Sequence, residues 1–293
     1  MQKLRLILTS FILISILMTA TVAKPENLEK SICGSIQEPL MFLLWSSAAG
    51  EPSTEVANHV PNAEPISHKT KDGRVLRGYK LRSMHPEGTV VGSVLVAQGN
   101  AMLADQLLSS LANFSQAGIE AYIFDYRGYG NSEGKRRLKA IVNDYKEIFD
   151  SINGSTHGRR FLYGISFGGI VLLNVVGSGI SFDRAVIDST PSRVSNVGCP
   201  KEYDPVVNFP KDGSRFLMVA GELDKVVPLK NSQELRDLAK TRGSRVEVRS
   251  DFAHPFMDSN IRVHRARIEL ISSFLASSDR REERRWNFDQ FNK

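Results

Sequence analysis

Cysteine is scarce in this sequence: Cys33 and Cys199 are the two among 293 residues. Two thiols are too few for a small disulfide-stapled scaffold or for a cysteine-based zinc site. Apolar runs long enough to cross a bilayer are missing beyond the first two dozen residues; the next, Pro39 to Trp45, is short. Internal repeats and low-complexity tracts are absent as well, so solenoid, collagen-like and disordered classes fall away. Charge of one sign is not in large excess, with 38 basic against 32 acidic residues. Nor do the basic residues form a wide face interleaved with aromatics, which argues against a nucleic-acid partner. What remains is ordinary globular composition, 41% hydrophobic and 24% charged, at a length that suits one large α/β domain with a sizeable core.

The first 23 residues read as a targeting segment. Lys3 and Arg5 give a positive start, Leu6 to Met18 is almost wholly apolar, and Thr21-Val22-Ala23 offers small residues for cleavage. That order is a secretory signal peptide; the alternative is an uncleaved membrane anchor. Its removal leaves 36 basic against 32 acidic residues, a formal charge of +4. Much of the basic excess sits in Arg280-Arg281-Glu282-Glu283-Arg284-Arg285, within a charged tail over 280–293. Export makes a Cys33–Cys199 disulfide permissible, although nothing in the sequence shows the two to be close. Residues 24–63 form a mixed leader, expected to pack one short helix on the body through the apolar patch at 40–45. That patch and the mildly basic tail are compatible with a membrane surface as partner.

From residue 64 to 279 the pattern is regular. Ile66 to Lys71 and Val75 to Leu81 read as strands around the turn Asp72-Gly73. Short apolar strands at 93–97, 121–125, 161–164, 185–188, 216–220 and 246–248 then alternate with helical spacing at 102–114, 138–152, 169–176, 232–239 and 261–275. Such alternation requires crossover connections, hence an α/β fold with a mostly parallel sheet buried between helices.

Two stretches match G-x-S-x-G, a pattern that is weak alone: Gly130 to Gly134 around Ser132, and Gly164 to Gly168 around Ser166. A nucleophilic serine needs a tight turn between strand and helix, with small neighbours so that the two pass closely. Phe161-Leu162-Tyr163 and the apolar helix from Gly168 supply that context for Ser166. Ser132 is followed by Lys135-Arg136-Arg137 instead and reads as a turn residue. A serine also needs a base, and the base an orienting acid. Downstream histidines are His254, at a strand end before the last helix, and His264, inside that helix beside Arg262, Arg265 and Arg267. His254 is the better placed, since ligands meet such sheets at the strands' C-terminal ends. Asp224 follows the strand at 216–220; Asp188 ends an earlier strand and rivals it. Two backbone N–H groups are expected to hold an oxyanion, that of Phe167 after the serine and that of Asn100 in the loop Gln98-Gly99-Asn100-Ala101. Asn100 as a plain helix cap is compatible with the same placement.

These stretches give the chain a resemblance to the α/β-hydrolase superfamily, and most to its small serine hydrolases of the Bem46-like and ABHD17-like kind. The matching segments are Thr70 to Tyr79, Gly99-Asn100-Ala101, Phe124-Asp125-Tyr126-Arg127-Gly128-Tyr129-Gly130-Asn131-Ser132, Tyr163 to Gly169, Gly221 to Pro228, and His254. The resemblance implies an eight-stranded sheet whose first strand is antiparallel. It also implies a Ser166–Asp224–His254 triad and neither metal nor organic cofactor. Two features depart from it. Gln98-Gly99 stands where such families carry His-Gly, and the stretch between Thr190 and Ser214, with Pro191, Pro200, Pro205 and Pro210, is too short for a large cap. A minimal cap implies an open site. The function expected is hydrolysis of a carboxylic ester or thioester, on a small molecule or an acylated substrate. The alternatives are a peptidase or amidase of the same fold, and a binding module that has lost catalysis.

Overall fold

The computed structural model describes residues 27–86, 89–155 and 158–277; the segment 1–23, expected to be a signal peptide, and the charged tail at 280–293 lie outside them. Among the described residues the chain forms one eight-stranded sheet in the order β1-β2-β4-β3-β5-β6-β7-β8. The strands are β1 (Ala63–Lys69), β2 (Val75–Leu81), β3 (Gly92–Ala97), β4 (Ile119–Phe124), β5 (Arg159–Ile165), β6 (Arg184–Asp188), β7 (Phe216–Gly221) and β8 (Arg245–Arg249). β1 and β2 form an antiparallel hairpin, and β2 also runs antiparallel to β4; every other pairing is parallel.

The central strands β3 and β7 are buried at every position, as strands covered on both faces must be. Helices supply the cover. α3 (Ala104–Gln116) and α8 (Ile261–Ala276) pack on one face, with Leu107, Leu111, Phe114, Ile271 and Phe274 buried among the strand side chains. α4 (Leu138–Ser155), α5 (Phe167–Gly177) and α7 (Leu229–Thr241) pack on the other. α5 is buried along almost its whole length, which fits its unbroken apolar sequence.

The leader is ordered and extensive. It forms α1 (Gln37–Ala49) and a short α2 (Thr54–His59). α1 is built of good helix formers with Glu38 in its first turn, and it stops at Gly50, whose φ of 78° few other residues adopt. A disulfide joins Cys33 to Cys199, and both residues are buried. Glu38 is fully buried and accepts from the backbone N–H groups of Ile32 (2.5 Å), Cys33 (2.9 Å) and Leu138 (2.8 Å). One carboxylate thereby ties the bridge loop to the start of α4, where orphan amides and the helix dipole favour a negative group. The 190–214 stretch makes two single 3-10 turns and the four-residue α6 (Pro205–Asn208), with no large cap.

Candidate active site

Ser166 sits between β5 and α5 with φ 53° and ψ −113°, a left-handed conformation that costs a non-glycine residue roughly 1–3 kcal/mol. The surrounding glycines make that turn possible. A Cβ on Gly168 would lie 1.9 Å from the Ala97 carbonyl oxygen, and one on Gly169 would lie 1.9 Å from Thr190 Oγ1. Ser166 N–H donates to the Asp188 carbonyl (2.8 Å), and Thr190 Oγ1 donates to the Ser166 carbonyl (3.0 Å). One backbone bond and one side-chain bond thus hold the strained residue against β6 and the residues after it.

The other G-x-S-x-G serine is occupied structurally. Ser132 Oγ donates to the Asp125 carbonyl (2.8 Å) and accepts from Arg77 N–H (2.9 Å), closing a turn.

Asp224 and His254 meet, with Nδ1 of the histidine 2.9 Å from Oδ2 of the aspartate. Oδ1 accepts from the backbone N–H groups of Val226 (2.9 Å) and Val227 (2.8 Å). Burial works to raise this carboxyl, but the His254 bond and the Val227 amide outweigh it and hold it below the usual carboxylate range. An ionised Asp224 can only accept, so Nδ1 of His254 carries the proton and Nε2 is the basic nitrogen.

The rival acid, Asp188, lies fully buried between Tyr163 and Arg267, whose Nη1 is 3.5 Å from it. Burial drives its carboxyl upward, against the pull of the nearby Arg267 guanidinium. Arg267 in turn donates through Nη2 to the Ala253 carbonyl (2.6 Å), and Asp258 Oδ1 accepts from Ala253 N–H (2.8 Å). The peptide next to His254 is therefore gripped on both sides. Arg267 is fully buried and lies 4.3 Å from the Phe252 ring centre. His264 is half-buried on α8, with Nε2 2.8 Å from Ser110 Oγ and its ring packed on Phe256.

The loop after β3 is fastened from below. Gln98 is fully buried; its Nε2 donates to the Phe124 carbonyl (2.9 Å) and its Oε1 accepts from Tyr145 (3.1 Å). Tyr126 donates to the Gln98 carbonyl (2.6 Å) and Tyr129 to Asn100 Oδ1 (2.7 Å). A glutamine in place of histidine therefore anchors this loop to the end of β4. The Asp125-to-Ser132 run, legible in the sequence only as a signature, is the support of the Asn100 loop. Arg127 completes it by pairing with Asp72 and Asp144.

Asn100, Ser166 and Phe167 line one cleft of about 540 Å³. Phe167 opens α5, and the first amides of a helix have no partner within it. Val226 and Val227, whose amides hold Asp224, line the same cleft. Its far wall comes from the leader, through Met41, Phe42 and Trp45 of α1. Sequence reasoning expected an open site and missed this wall. The one signal for it was the pair Cys33 and Cys199, since Cys199 also borders the cleft. Among the described residues, no three or more His, Cys, Asp and Glu side chains gather as a metal site.

Comparison with known proteins agrees with this architecture. Residues 88–198, from β3 past Ser166, match the family model for serine aminopeptidases of the S33 type. The uncharacterized protein YfhR of Escherichia coli K12 is 25% identical over 201 residues, covering 61% of this chain and 69% of that protein. Among solved structures, the esterase Pf2001 of Pyrococcus furiosus superposes with a TM-score of 0.60 at 17% identity, covering 78% of this chain and 96% of that one. A Xanthomonas campestris α/β serine hydrolase without lid gives 0.57 at 16% identity, covering 75% and 98%. By its strand order, its crossover helices and these likenesses, the chain has the α/β-hydrolase fold.

Proposed function

We propose that the protein is a serine hydrolase that cleaves a carboxylic ester or thioester. The observation that carries this reading is the strained Ser166 turn sharing one cleft with the loop that holds the Asp224–His254 pair. Ser166 Oγ attacks the acyl carbon as His254 Nε2 takes its proton, and the carbonyl electrons move to an oxyanion held by the N–H groups of Phe167 and Asn100. The oxyanion collapses, the bond to the leaving oxygen or sulfur breaks, and His254 returns the proton to it. Water, deprotonated by the same nitrogen, then attacks the acyl-enzyme and frees the acid and Ser166. Asp224 keeps His254 in the tautomer this requires.

The decisive test is labelling of the folded protein by a fluorophosphonate probe. Loss of labelling in Ser166→Ala, with Ser132→Ala labelled like wild type, is the expected result. An unlabelled wild type would leave a non-catalytic hydrolase-like binding module as the better account. The serine-aminopeptidase family match favours a second reading, cleavage of an amide. Turnover of aminoacyl amides, with p-nitrophenyl esters left intact, would select it.

Export belongs to the same proposal. The Cys33–Cys199 bridge supports an oxidising compartment, where such bonds persist. Retention of residues 1–23 as an anchor is the alternative, and N-terminal sequencing of the protein from its own cells separates the two. Exposed Leu40, Leu43 and Leu44 on α1 support contact with a membrane surface. Flotation with phospholipid vesicles, abolished by changing these three to serine, would bear that contact out.

A further inference from the structure

The cleft beside Ser166 has two unlike walls. On one side the residues after β6 and on α7 carry the polar groups, Arg193, Asn196 and Asn231 among them, interspersed with Pro191, Val194 and Val197. On the other, α1 presents Met41, Phe42 and Trp45 to Leu138 and Ile170 of the body. Phe167 belongs to this apolar side and to the chemistry at once. Its amide opens α5 next to Ser166, and its ring packs edge to face on Phe42 (5.6 Å between centres) and tilted against Trp45 (6.2 Å). Whatever is bonded to the reacting carbon at Ser166 therefore has a lipophilic surface beside it, and part of that surface comes from the leader.

The leader is a fixed wall. Cys33–Cys199 and the three amide bonds of Glu38 tie down its start. Gln37 Nε2 donates to the Val197 carbonyl (3.0 Å), and at the far end Gln106 Nε2 donates to the Ala49 carbonyl (2.7 Å). Before the bridge, Glu29 pairs with Arg74 (3.1 Å) and accepts from Lys135 N–H (3.0 Å). A wall clamped at both ends keeps its shape when the site is empty, so a ligand meets a surface already built, which lowers the ordering cost of binding.

We propose that this cleft between α1 and the body is an acyl-chain site, and that the substrate is an ester or thioester of an unbranched apolar acid of medium length. Specificity then resides in Met41 and Trp45 of the N-terminal helix, the role that an insertion between Thr190 and Ser214 is too short to fill. The cleft lies within the volume range of sites that enclose most of a small ligand. The inference rests on the hydrolase reading for its reaction, though the binding it asserts does not need catalysis.

Its test uses Trp45 as the reporter. The full-length Ser166→Ala protein is titrated with carboxylates of increasing chain length that carry a terminal bromine, a contact quencher of tryptophan emission. The Trp45→Phe protein, which retains Trp286, supplies the background. Saturable quenching is expected, tightening about fourfold per added methylene until the cleft is filled, at about 0.8 kcal/mol for each buried group. Quenching that never saturates, or that ignores chain length, overturns the proposal. In the active protein, Met41→Trp should move the preferred p-nitrophenyl ester to a shorter chain, and an unmoved preference counts against the proposal. Fluorophosphonate labelling is run in parallel. Quenching without labelling keeps the acyl site and removes the hydrolase; labelling without quenching does the reverse.

Discussion

The ring of Phe42, in a helix that precedes the whole sheet, stands edge to face on Phe167, the residue that follows Ser166, with 5.6 Å between ring centres. The leader thereby packs on the residue whose amide is proposed to hold the oxyanion. A disturbance of the leader should be felt at the reacting centre as well as in stability.

The disulfide is the simplest place to apply that disturbance. Cys33 and Cys199 are 166 residues apart, and closing so long a loop removes much freedom from the unfolded chain. Replacing both with serine should lower unfolding stability by about 2–5 kcal/mol. Urea denaturation of the double variant and of wild type, each with and without reductant, checks this. Reductant should lower the wild type towards the variant and leave the variant unchanged.

Arg267 should matter to both stability and turnover. It faces Asp188 and Asp258 inside the protein, and it fixes the Ala253 carbonyl next to His254. Arg267→Met leaves two buried carboxylates without their cation, a loss of about 3–5 kcal/mol. Lysine restores the charge but lacks the planar fork that reaches three acceptors, so Arg267→Lys should recover part of the stability and little of the kcat. Melting temperature and kcat, measured on both variants, separate the two contributions. A lysine variant with wild-type turnover would show that Ala253 needs no such grip.

Much of this architecture is legible in the chain, and what is not has a physical cause. Short apolar strands alternating with helical spacing specify a parallel sheet, because only crossover connections accommodate them. Ser166, Asp224 and His254 stand out because each follows a strand at the end where such sheets meet ligands. The leader's place beside Phe167 is a contact between distant segments, and neither periodicity nor local propensity carries such information. Arg267 is hidden for another reason. Arg262, Arg265 and Arg267 share one amphipathic helix, and polarity alone assigns them all to water, whereas Arg267 is buried through its carboxylate partners. The Asp125 to Ser132 run is visible as a signature, but its work in fastening Gln98 and Asn100 depends on hydroxyl reach that no spacing rule encodes.

Asp125 predicts a pH dependence of stability. It is buried and accepts from Ala104 N–H (2.7 Å). Burial pushes its carboxyl up to about 7; the Ala104 amide opposes this, and the nearby Asp105 adds to it. In the unfolded chain the group titrates near 4, about where an exposed aspartate does. Between these values the folded protein holds a proton that the unfolded chain has released, so stability falls as pH rises from about 4 to about 7 and is flat in this group's contribution outside that window. The fall across that window amounts to about 4 kcal/mol. Asp125→Asn keeps an acceptor for Ala104 and cannot ionise, so denaturation midpoints of that variant should vary less over the same pH range than those of wild type. Equal slopes would mean that Asp125 is ionised in the fold.

The two buried aspartates at strand ends separate most cleanly by kinetics. Asp224→Asn retains the shape of the site, but an amide can present its N–H to Nδ1 of His254 and hold the wrong tautomer. A loss in kcat on the order of 10³–10⁴ with little change in melting temperature is expected. Asp188→Asn acts elsewhere. It removes a charge from Arg267 and leaves the backbone bond from Ser166 N–H intact, so its cost should fall on stability. Kinetics and thermal melting of both variants decide the assignment. If the larger kcat loss belonged to Asp188→Asn, the orienting acid would be Asp188, and Asp224 would be the residue that shapes the Val226–Val227 loop.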